Sequence, residues 1–375
     1  HILPLSVHLS PWASSTIISE KIDKTLGYSI NIMNELPIRP ANKNFTHSRL
    51  TFADFYAGIG GFRLGLEQIG WQCVFSNENN PDCVKTYNHN FHESIKPQDV
   101  EALIPSLLPD FEVFCGGFPC QPFSVAGYRK GFEDSRGNHF FKILDFVDEM
   151  RPNVIFLENV KNLKGHDKGN TIKVIENEIR KRDYTFDSAV LNTKDFGNIP
   201  HNRERIFMVA FDKKFVKKGF KFNFPEKEEL TKKVTDLIIK EKVDKKFYYT
   251  EDKYMYNMLK EAVVREDRIY QFRRQYVREN KKEVCPTLTA NMGTGGHNVP
   301  IITTEFGFRK LTPRECFRFQ GFPDDFKLPA ISNSHLYKQA GNSVSMPVIE
   351  RLASEIYKVL EKVESKKTKK SKEKA

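Results

Sequence analysis

Cys120 is a cysteine whose neighbours suit a chemically reactive group. It lies between Pro119 and Pro122, shortly after an apolar run over residues 111–115. Because proline interrupts a helix, the sequence predicts a constrained, exposed turn at the end of a strand. A thiol mounted there can act as a nucleophile when nearby cationic groups favour its thiolate form.

A carboxyl group and two guanidinium groups are candidates to share a site with this thiol. Glu158 ends one apolar run, and Arg203 and Arg205 stand just before another. The ends of neighbouring strands in a parallel sheet converge on one crevice. We therefore expect Cys120, Glu158, Arg203 and Arg205 to form a catalytic site.

The elements that would position these residues follow from the hydrophobic pattern. From residue 50 onward, short apolar runs alternate with amphipathic segments, which is typical of strand-helix-strand units and a parallel sheet. Strands are predicted at 51–56, 71–76, 111–115, 154–157, 186–191 and 206–211, and helices at 138–150, 170–181 and 312–319, with another helix after 342.

A glycine-rich turn follows the first predicted strand and could hold a nucleotide-like ligand. Gly58, Gly60 and Gly61 allow close approach of a ligand, although a tight connection between elements would use them too. Glu78 ends the second predicted strand, near the ~20-residue offset at which an acid meets ribose hydroxyls. Because the turn lacks the full GxGxxG spacing, an adenosyl-type cofactor is favoured over a dinucleotide. Asp99, after a third predicted strand, is either an adenine-binding acid or a solvated loop residue.

The composition is that of a globular protein with a basic surface. The chain has 375 residues, 39% hydrophobic and 29% charged, and a formal net charge of +11. This charge favours a polyanionic partner, although many basic proteins bind no nucleic acid. No apolar run approaches the ~20 residues of a membrane span, and no secretory signal is recognisable, so an intracellular protein is expected. The cysteines lack disulfide or zinc-ligand spacing, which predicts no metal site.

Changes in pattern divide the chain into five parts. We expect a helical N-terminal extension over 1–48, a catalytic and cofactor-binding domain over 49–225 and a charge-rich second module over 226–304. A C-terminal part over 305–362 would return to the catalytic domain. The lysine-rich stretch 363–375 is predicted to be a disordered basic tail.

The order of these motifs resembles that of bacterial DNA cytosine-5 methyltransferases of restriction-modification systems. The resemblance rests on residues 54–61, 117–121, 158–160, 203–205, 309–324 and 339–344, and covers about 50–360. It implies an α/β fold with a doubly wound, Rossmann-like S-adenosylmethionine-dependent methyltransferase sheet and a small, mixed target-recognition domain. Tyr56 is a departure, since many members have a phenylalanine that stacks on adenine there, but an aromatic face is kept.

The resemblance also implies a mechanism on a cytosine flipped out of the duplex. The thiolate of Cys120 would add to carbon 6, and carbon 5 would then take the methyl group of S-adenosylmethionine, leaving S-adenosylhomocysteine. Glu158 would hold or protonate N3, and Arg205 would donate to O2. Arg203 would help to anchor the site and its charge.

Further binding residues follow from the same resemblance. The predicted cofactor contacts are Phe55, Tyr56, Gly58, Gly60, Gly61, Glu78, Asn79, Asp99, Pro119, Asn342 and Val344. Asn342 would tie the pocket to the loop over 121–137, which is the predicted lid and groove-inserting element. The predicted DNA contacts are Gln121, Ser124, Arg136, Arg273, Arg274, Arg278, Thr287 and Leu288.

The second module is the predicted reader of the target sequence. Residues 268–282 interleave basic and aromatic side chains, which can neutralise phosphates and read base edges, although a solvated helix face would look similar. The Thr287-Leu288 dipeptide resembles the recurring one in the recognition part of the family. By the same loose resemblance, a short GC-rich palindrome of the GGNCC type is the expected target.

Two other functions are open at this level. A tRNA cytosine methyltransferase usually carries Cys-Phe-Thr in its recognition region, whereas here Cys316 is followed by Phe317 and Arg318. A catalytically silent DNA-binding regulator would have no need of Cys120, Glu158 and Arg205. We expect a cytoplasmic, monomeric enzyme acting on double-stranded DNA, with no metal or membrane partner and with a cognate restriction endonuclease.

Overall fold

Two sheets organise the part of the chain that the computed structural model describes, which is residues 50–91, 94–119, 139–273, 275–280, 282–294 and 299–372. The strands are β1 Thr51–Phe55, β2 Gln72–Asn77, β3 Val113–Gly117, β4 Val154–Val160, β5 Asp187–Asn192, β6 His201–Asn202, β7 Glu204–Phe211, β8 Tyr270–Arg273, β9 Tyr276–Glu279, β10 Cys285–Pro286, β11 Ile301–Thr304 and β12 Gly307–Lys310. The helices are α1 Gly61–Gln68, α2 Pro81–Phe91, α3 His139–Met150, α4 Asn170–Lys181, α5 Thr193–Phe196, α6 Tyr256–Ala262, α7 Pro313–Arg318, α8 Asn333–Asn342 and α9 Met346–Lys372.

The larger sheet has the strand order β2-β1-β3-β4-β7-β5. The neighbours from β2 to β4 pair in parallel, whereas β7 is antiparallel to both β4 and β5. The alternating pattern predicted a parallel sheet, and this part of the prediction is wrong for β7. The physical reason is the connection from β5 to β7, residues 193–203, which is shorter than the dozen or more residues that a parallel crossover requires.

Helices cover both faces of this sheet, which confirms the doubly wound, Rossmann-like architecture. On one face, α3 and α4 pack Phe146 and Ile175 against the strands. On the other face, α1 and α9 contribute Leu66 and Leu352. The central strands are buried from both sides and are therefore almost continuously apolar, as the sequence pattern indicated.

The smaller sheet is antiparallel and has the order β12-β11-β8-β9. It extends to Lys310, so β12 lies beyond the boundary predicted at residue 304. One face packs Tyr270, Phe272 and Ile301 against Leu259 of α6. The strand pair β6 and β10 joins this region to the catalytic part of the chain.

Two other segments differ from their predictions. No strand occurs among residues 94–99, where a strand was expected before Asp99. Helix α9 continues to Lys372, so residues 363–372 are helical and not the disordered tail predicted over 363–375. Lysine and glutamate are good helix formers, and this stretch contains neither glycine nor proline. None of the described helices is long and apolar enough to cross a bilayer.

A buried ion pair connects the smaller sheet to the returning C-terminal part. Arg309 of β12 donates to both carboxylate oxygens of Glu315 in α7, at 2.8 and 2.7 Å, and both side chains are fully buried. The same carboxylate accepts the backbone N–H groups of Thr312 and Ile239. One glutamate therefore holds the ends of β12 and α7 together with Ile239, which lies 76 positions earlier in the chain.

We predict that Glu315→Gln lowers the free energy of unfolding by about 3–5 kcal/mol, because it leaves the Arg309 guanidinium buried without a counter-charge. Urea denaturation measures the effect. The control is Asp324→Asn, which breaks the Arg318–Asp324 pair where the aspartate is 62% exposed, and should cost less than about 1 kcal/mol. Equal losses for the two variants would contradict the importance of the buried pair.

Candidate active site

A pocket of about 470 Å³ opens at the carboxyl ends of the parallel strands. This is the edge of an open α/β sheet at which ligands bind, and the volume lies within the usual range for small-molecule sites. Predicted residues in its wall are Tyr56, Gly58, Gly61, Glu78, Asn79, Pro119, Glu158, Arg205, Asn342 and Val344. The structure thus brings together residues that are almost 290 positions apart.

Glu158 and Arg205 meet because of the pairing between β4 and β7. Arg205 lies opposite Val160 in the register, so Glu158, two residues from Val160, is its diagonal neighbour on the same face of the sheet. The Nε of Arg205 is 3.0 Å from Oε1 of Glu158, and both side chains are largely buried. Strand register therefore fixes this pair, and no loop is needed to hold it.

Burial makes the Glu158 carboxyl a weaker acid than a glutamate in water. Desolvation raises its pKa, and the positive charges of Arg205 and Arg203 oppose that rise. A carboxyl group with a raised pKa keeps its proton to higher pH than an ordinary glutamate, and it can donate that proton to a ring nitrogen. The Arg205 guanidinium beside it has N–H groups that suit a carbonyl oxygen, so the pair matches the N3 and O2 edge of a pyrimidine.

Arg203 has a different position from Arg205. It is fully buried and donates to the main-chain oxygens of Leu288, Gly341 and Ser343. These oxygens belong to the second module, to the last turn of α8 and to the residue after it, so Arg203 ties all of these to the start of β7. The anchoring role predicted for Arg203 fits this geometry. The Arg203 side chain is not part of the pocket wall.

Glu78 occupies the other end of the pocket, at the tip of β2. Its Oε2 accepts the N–H of Gly58 at 2.8 Å, and its Oε1 accepts the N–H of Asn80 at 2.7 Å. Burial raises the pKa of this carboxyl, which the backbone donors oppose. A carboxylate offers about four acceptor positions, and the backbone N–H groups of Gly58, Asn79 and Asn80 leave capacity for a ribose hydroxyl.

The residues around Glu78 fit an adenosyl-type cofactor. A Cβ on Gly58 would meet nothing within 4 Å, so this glycine leaves space open beside the carboxylate. Tyr56 presents its aromatic ring to the same pocket, and Asn79, Pro119, Asn342 and Val344 complete the wall. The structure thus offers an aromatic face for a base, an acid for a sugar and a turn that allows close approach.

Three of the predicted cofactor residues do not reach the pocket wall. Phe55 is buried in the core and stacks on Phe114, with ring centroids 4.3 Å apart, because successive strand residues point to opposite faces. Gly60 has a φ of +86° and lies against Phe91, where a Cβ would come within 2.2 Å, so its role is to shape the turn. Asp99 is exposed and accepts the N–H of Glu101, while the next residue, Val100, lines the pocket.

His139 is a pocket residue that the sequence analysis missed. It begins α3, and its main-chain oxygen accepts the hydroxyl of Tyr56 at 3.3 Å. The two rings meet edge to face, with centroids 5.4 Å apart. No motif marks His139, because its place in the site depends on how α3 approaches the end of β1.

The predicted DNA contacts divide into three groups. Cys120, with Gln121, Ser124, Arg136 and Arg274, lies outside the described residues. Arg273 and Arg278 are exposed on the hairpin of β8 and β9. Thr287 is exposed as well, and its hydroxyl donates to the main-chain oxygen of Asn202.

Leu288 is a correction to the predicted DNA contacts. Only 1% of it is exposed, and it packs in the core that joins the two parts of the chain. Its N–H donates to Nε2 of His201. The leucine therefore stabilises the junction, and its side chain cannot touch DNA.

The other cysteines fit the expectation of small buried residues. Among the described residues Cys73, Cys115, Cys285 and Cys316 are buried, and burial raises the pKa of Cys115, Cys285 and Cys316, which keeps their thiols protonated. Within the described ranges no cluster of three or more histidine, cysteine or acidic side chains could hold a metal ion.

Comparisons with known proteins agree with this geometry. The family model described as C-5 cytosine-specific DNA methylase matches residues 50–358. The chain is 53% identical over 313 residues to Type II methyltransferase M.Bsp6I of Bacillus sp. (strain RFL6), covering 82% of this chain and 99% of that protein. It is 39% identical over 326 residues to Type II methyltransferase M.HhaI of Haemophilus parahaemolyticus, covering 82% and 94%.

Solved structures support the fold. The crystal structure of the S. pombe Dnmt2 methyltransferase matches with a TM-score of 0.64 and 22% identity, covering 84% of this chain and 99% of that one. At this identity the likeness concerns the fold alone.

We predict that Tyr56→Phe weakens binding of S-adenosylhomocysteine about threefold to tenfold, because one hydrogen bond that orients the ring is lost. Isothermal titration calorimetry measures the dissociation constant. The matched control is Tyr184→Phe, which removes a buried hydroxyl that donates to Pro152 outside the pocket. The control should lower stability and leave the dissociation constant unchanged. An unchanged constant in Tyr56→Phe would show that the hydroxyl has no positioning role.

Proposed function

The chain belongs to the C-5 cytosine-specific DNA methylase family, and from that premise we propose that Cys120, Glu158 and Arg205 are its catalytic side chains, with Arg203 as a positioning residue. The enzyme transfers a methyl group from S-adenosylmethionine to carbon 5 of cytosine in DNA. The observation that carries the residue assignment is the buried Glu158–Arg205 pair at the carboxyl edge of the sheet.

Carbon 5 of cytosine is a weak nucleophile, so the ring has to be activated before it can accept a methyl group. Cys120 directly follows Pro119, which lines the pocket, and its thiolate is proposed to form the bond to carbon 6. As the thiolate adds to carbon 6, the electron pair of the C5=C6 double bond moves through the ring to N3, which takes the proton of Glu158, so a neutral enamine forms. The enamine is nucleophilic at carbon 5, which takes the methyl group. Loss of the carbon 5 proton to a base and departure of the Cys120 thiolate then restore the ring.

Arg205 stabilises the oxygen on the same edge of the ring. Its guanidinium donates to O2, where negative charge grows as the thiolate adds, and the buried setting strengthens that hydrogen bond. Arg203 holds the main chain around the site in place through Leu288, Gly341 and Ser343. Bound S-adenosylmethionine supplies an electrophilic methyl group, and Glu78 and Tyr56 hold its adenosine end.

The smaller sheet is the proposed target-recognition region, with the predicted limits 226–304 extended to Lys310. In the β8–β9 hairpin Gln271 pairs with Arg278, and Arg273 pairs with Tyr276, so these four side chains share one face. The opposite face is buried through Tyr270 and Phe272. Glutamine and arginine are side chains that read base edges in the major groove, and a two-stranded ribbon fits that groove.

The biological setting is proposed from the kind of relatives. The enzyme acts in a restriction-modification system, on a short palindromic site with GC-rich flanks, beside an endonuclease that cuts the same site. It works as a monomer in the bacterial cytoplasm. Asn342 completes the cofactor contacts of the pocket wall, and Asp99 is proposed to reach the cofactor from the rim, since the next residue, Val100, lines the pocket. Gln121, Ser124, Arg136 and Arg274 complete the proposed DNA contacts.

Bisulfite sequencing of DNA from cells that express the protein tests activity, base and sequence context together. We predict protected cytosines in one short context, and relaxed context in Arg278→Gln, with discrimination reduced by about 1–3 kcal/mol because a base contact is lost. The control is Arg265→Gln, which removes an exposed arginine already paired with Asp267 in the same region. A uniform loss of activity at all sites in Arg278→Gln would assign this arginine to phosphate binding. Methyl transfer to RNA with no protected cytosine in DNA would overturn the DNA assignment.

We predict that Glu158→Gln lowers the rate of methyl transfer by roughly 10²–10⁴-fold and changes DNA and cofactor binding little, because the amide cannot give up a proton. Single-turnover transfer of tritiated methyl groups measures the rate. The control is Glu204→Gln on the neighbouring strand β7, which breaks an exposed pair with Lys161 and should keep the rate within about twofold.

The pH dependence gives a second readout for Glu158. Its pKa is raised, so the protonated form persists to higher pH, and the rate should decline as the pH rises through that pKa. This decline should be absent in the glutamine variant. A variant that keeps more than a tenth of the rate and the same profile would exclude Glu158 as the acid.

A further inference from the structure

A second basic surface lies at the edge of the larger sheet opposite the active site. Residues 213–221, which we call the lysine loop, contain five lysines and no acidic residue. All five side chains, Lys213, Lys214, Lys217, Lys218 and Lys221, are exposed. Protein surfaces usually mix charges of both signs, so such a run of one sign creates a local positive field.

The position of the lysine loop follows from the direction of β7. Arg205 pairs with Val160 beside the pocket, and Phe211 pairs with Val154 at the start of β4. Phe211 follows Arg205 by six positions, which is about 20 Å along an extended strand. The loop begins just after Phe211, so a duplex bound over the pocket does not lie against these lysines.

The loop is held firmly, with aromatic residues inward and lysines outward. The rings of Phe220 and Phe222 lie 5.4 and 5.8 Å from that of Phe211. The N–H of Phe222 donates to Asp187, and the N–H of Lys214 donates to Asp212. The lysines are thus displayed from a fixed backbone, which lowers the ordering entropy that binding would cost.

Most of this charge is not neutralised inside the protein. Lys213 lies 3.5 Å from Asp183, whose side chain is 84% exposed. For the other four lysines the described part of the chain offers no ion-pair partner within 4.0 Å. We propose that the lysine loop binds the phosphate backbone of a second duplex DNA segment, independently of sequence, while the catalytic cleft holds the first. Such a contact would keep the enzyme on long DNA between target sites.

The test uses the full-length enzyme with its cleft filled by a short duplex that it methylates, in the presence of S-adenosylhomocysteine. A labelled 20-base-pair duplex without the site is then titrated and its binding followed by fluorescence anisotropy. The wild type should bind this second duplex at low salt. A variant with glutamine at 214, 217, 218 and 221 should lose most of that binding, with the slope of log K against log salt reduced by about 3–4.

Two controls make the result decisive. A variant with glutamine at the exposed lysines 96, 168, 173 and 327 removes the same charge from scattered places outside the proposed recognition region, and it should bind the second duplex like the wild type. The loop variant should keep the melting temperature and the methylation rate on the short duplex. Absence of second-duplex binding in the wild type, or equal binding by the loop variant, would overturn the proposal. A loss of rate on the short duplex would also overturn it, because the lysines would then belong to the catalytic DNA contact.

Discussion

The antiparallel insertion of β7 between β4 and β5 is the constraint on which the active site depends. A strand in this position starts at the edge where β4 ends, so its first residues enter the pocket and its last residues leave at the opposite edge. The diagonal relation of Glu158 and Arg205 follows from the register, and a shift of one residue would turn Arg205 to the other face of the sheet. Arg203 lies just before this strand and holds the main chain around the pocket through the oxygens of Leu288, Gly341 and Ser343. The arginine proposed for catalysis and the arginine that holds the main chain of the pocket therefore lie together at the start of β7.

The junction between the two parts of the molecule is built from polar groups that form hydrogen bonds inside the core. Arg203 donates to three main-chain oxygens. The ring of His201 forms a hydrogen bond with the main-chain oxygen of Phe319 and accepts the N–H of Leu288. The Arg309–Glu315 pair is likewise a buried polar contact, and it holds the edge of the smaller sheet against α7. Each group is buried, and leaving one partner unsatisfied is expensive. These contacts favour one position of the proposed target-recognition region relative to the active site.

The sequence was sufficient for the central sheet, the glycine turn and the convergence of Glu158 with Arg205, because apolar runs and strand ends are local signals. It did not reveal the direction of β7, which depends on the length of the β5–β7 connection. Resemblance to the family motifs also did not separate adjacent residues by their roles. Phe55 and Tyr56 are neighbours in sequence, yet Phe55 lies in the core and Tyr56 lines the pocket. His139 and Leu288 show the same limit, since their roles arise from contacts between segments that are distant in sequence.

Arginines and lysines contribute to the positive charge of the chain in different places. Arginines such as Arg203 and Arg309 are buried, where a planar guanidinium can satisfy several fixed acceptors at once. Lysines carry a compact charge on a flexible stem and stay in water, as in the lysine loop. Overall charge is therefore a poor guide to the DNA-binding surface, because part of it stabilises the fold. Only the cations that are exposed and lack an acidic partner can bind phosphates. In the lysine loop, such cations stand at the end of β7, one strand length away from the arginines at its start.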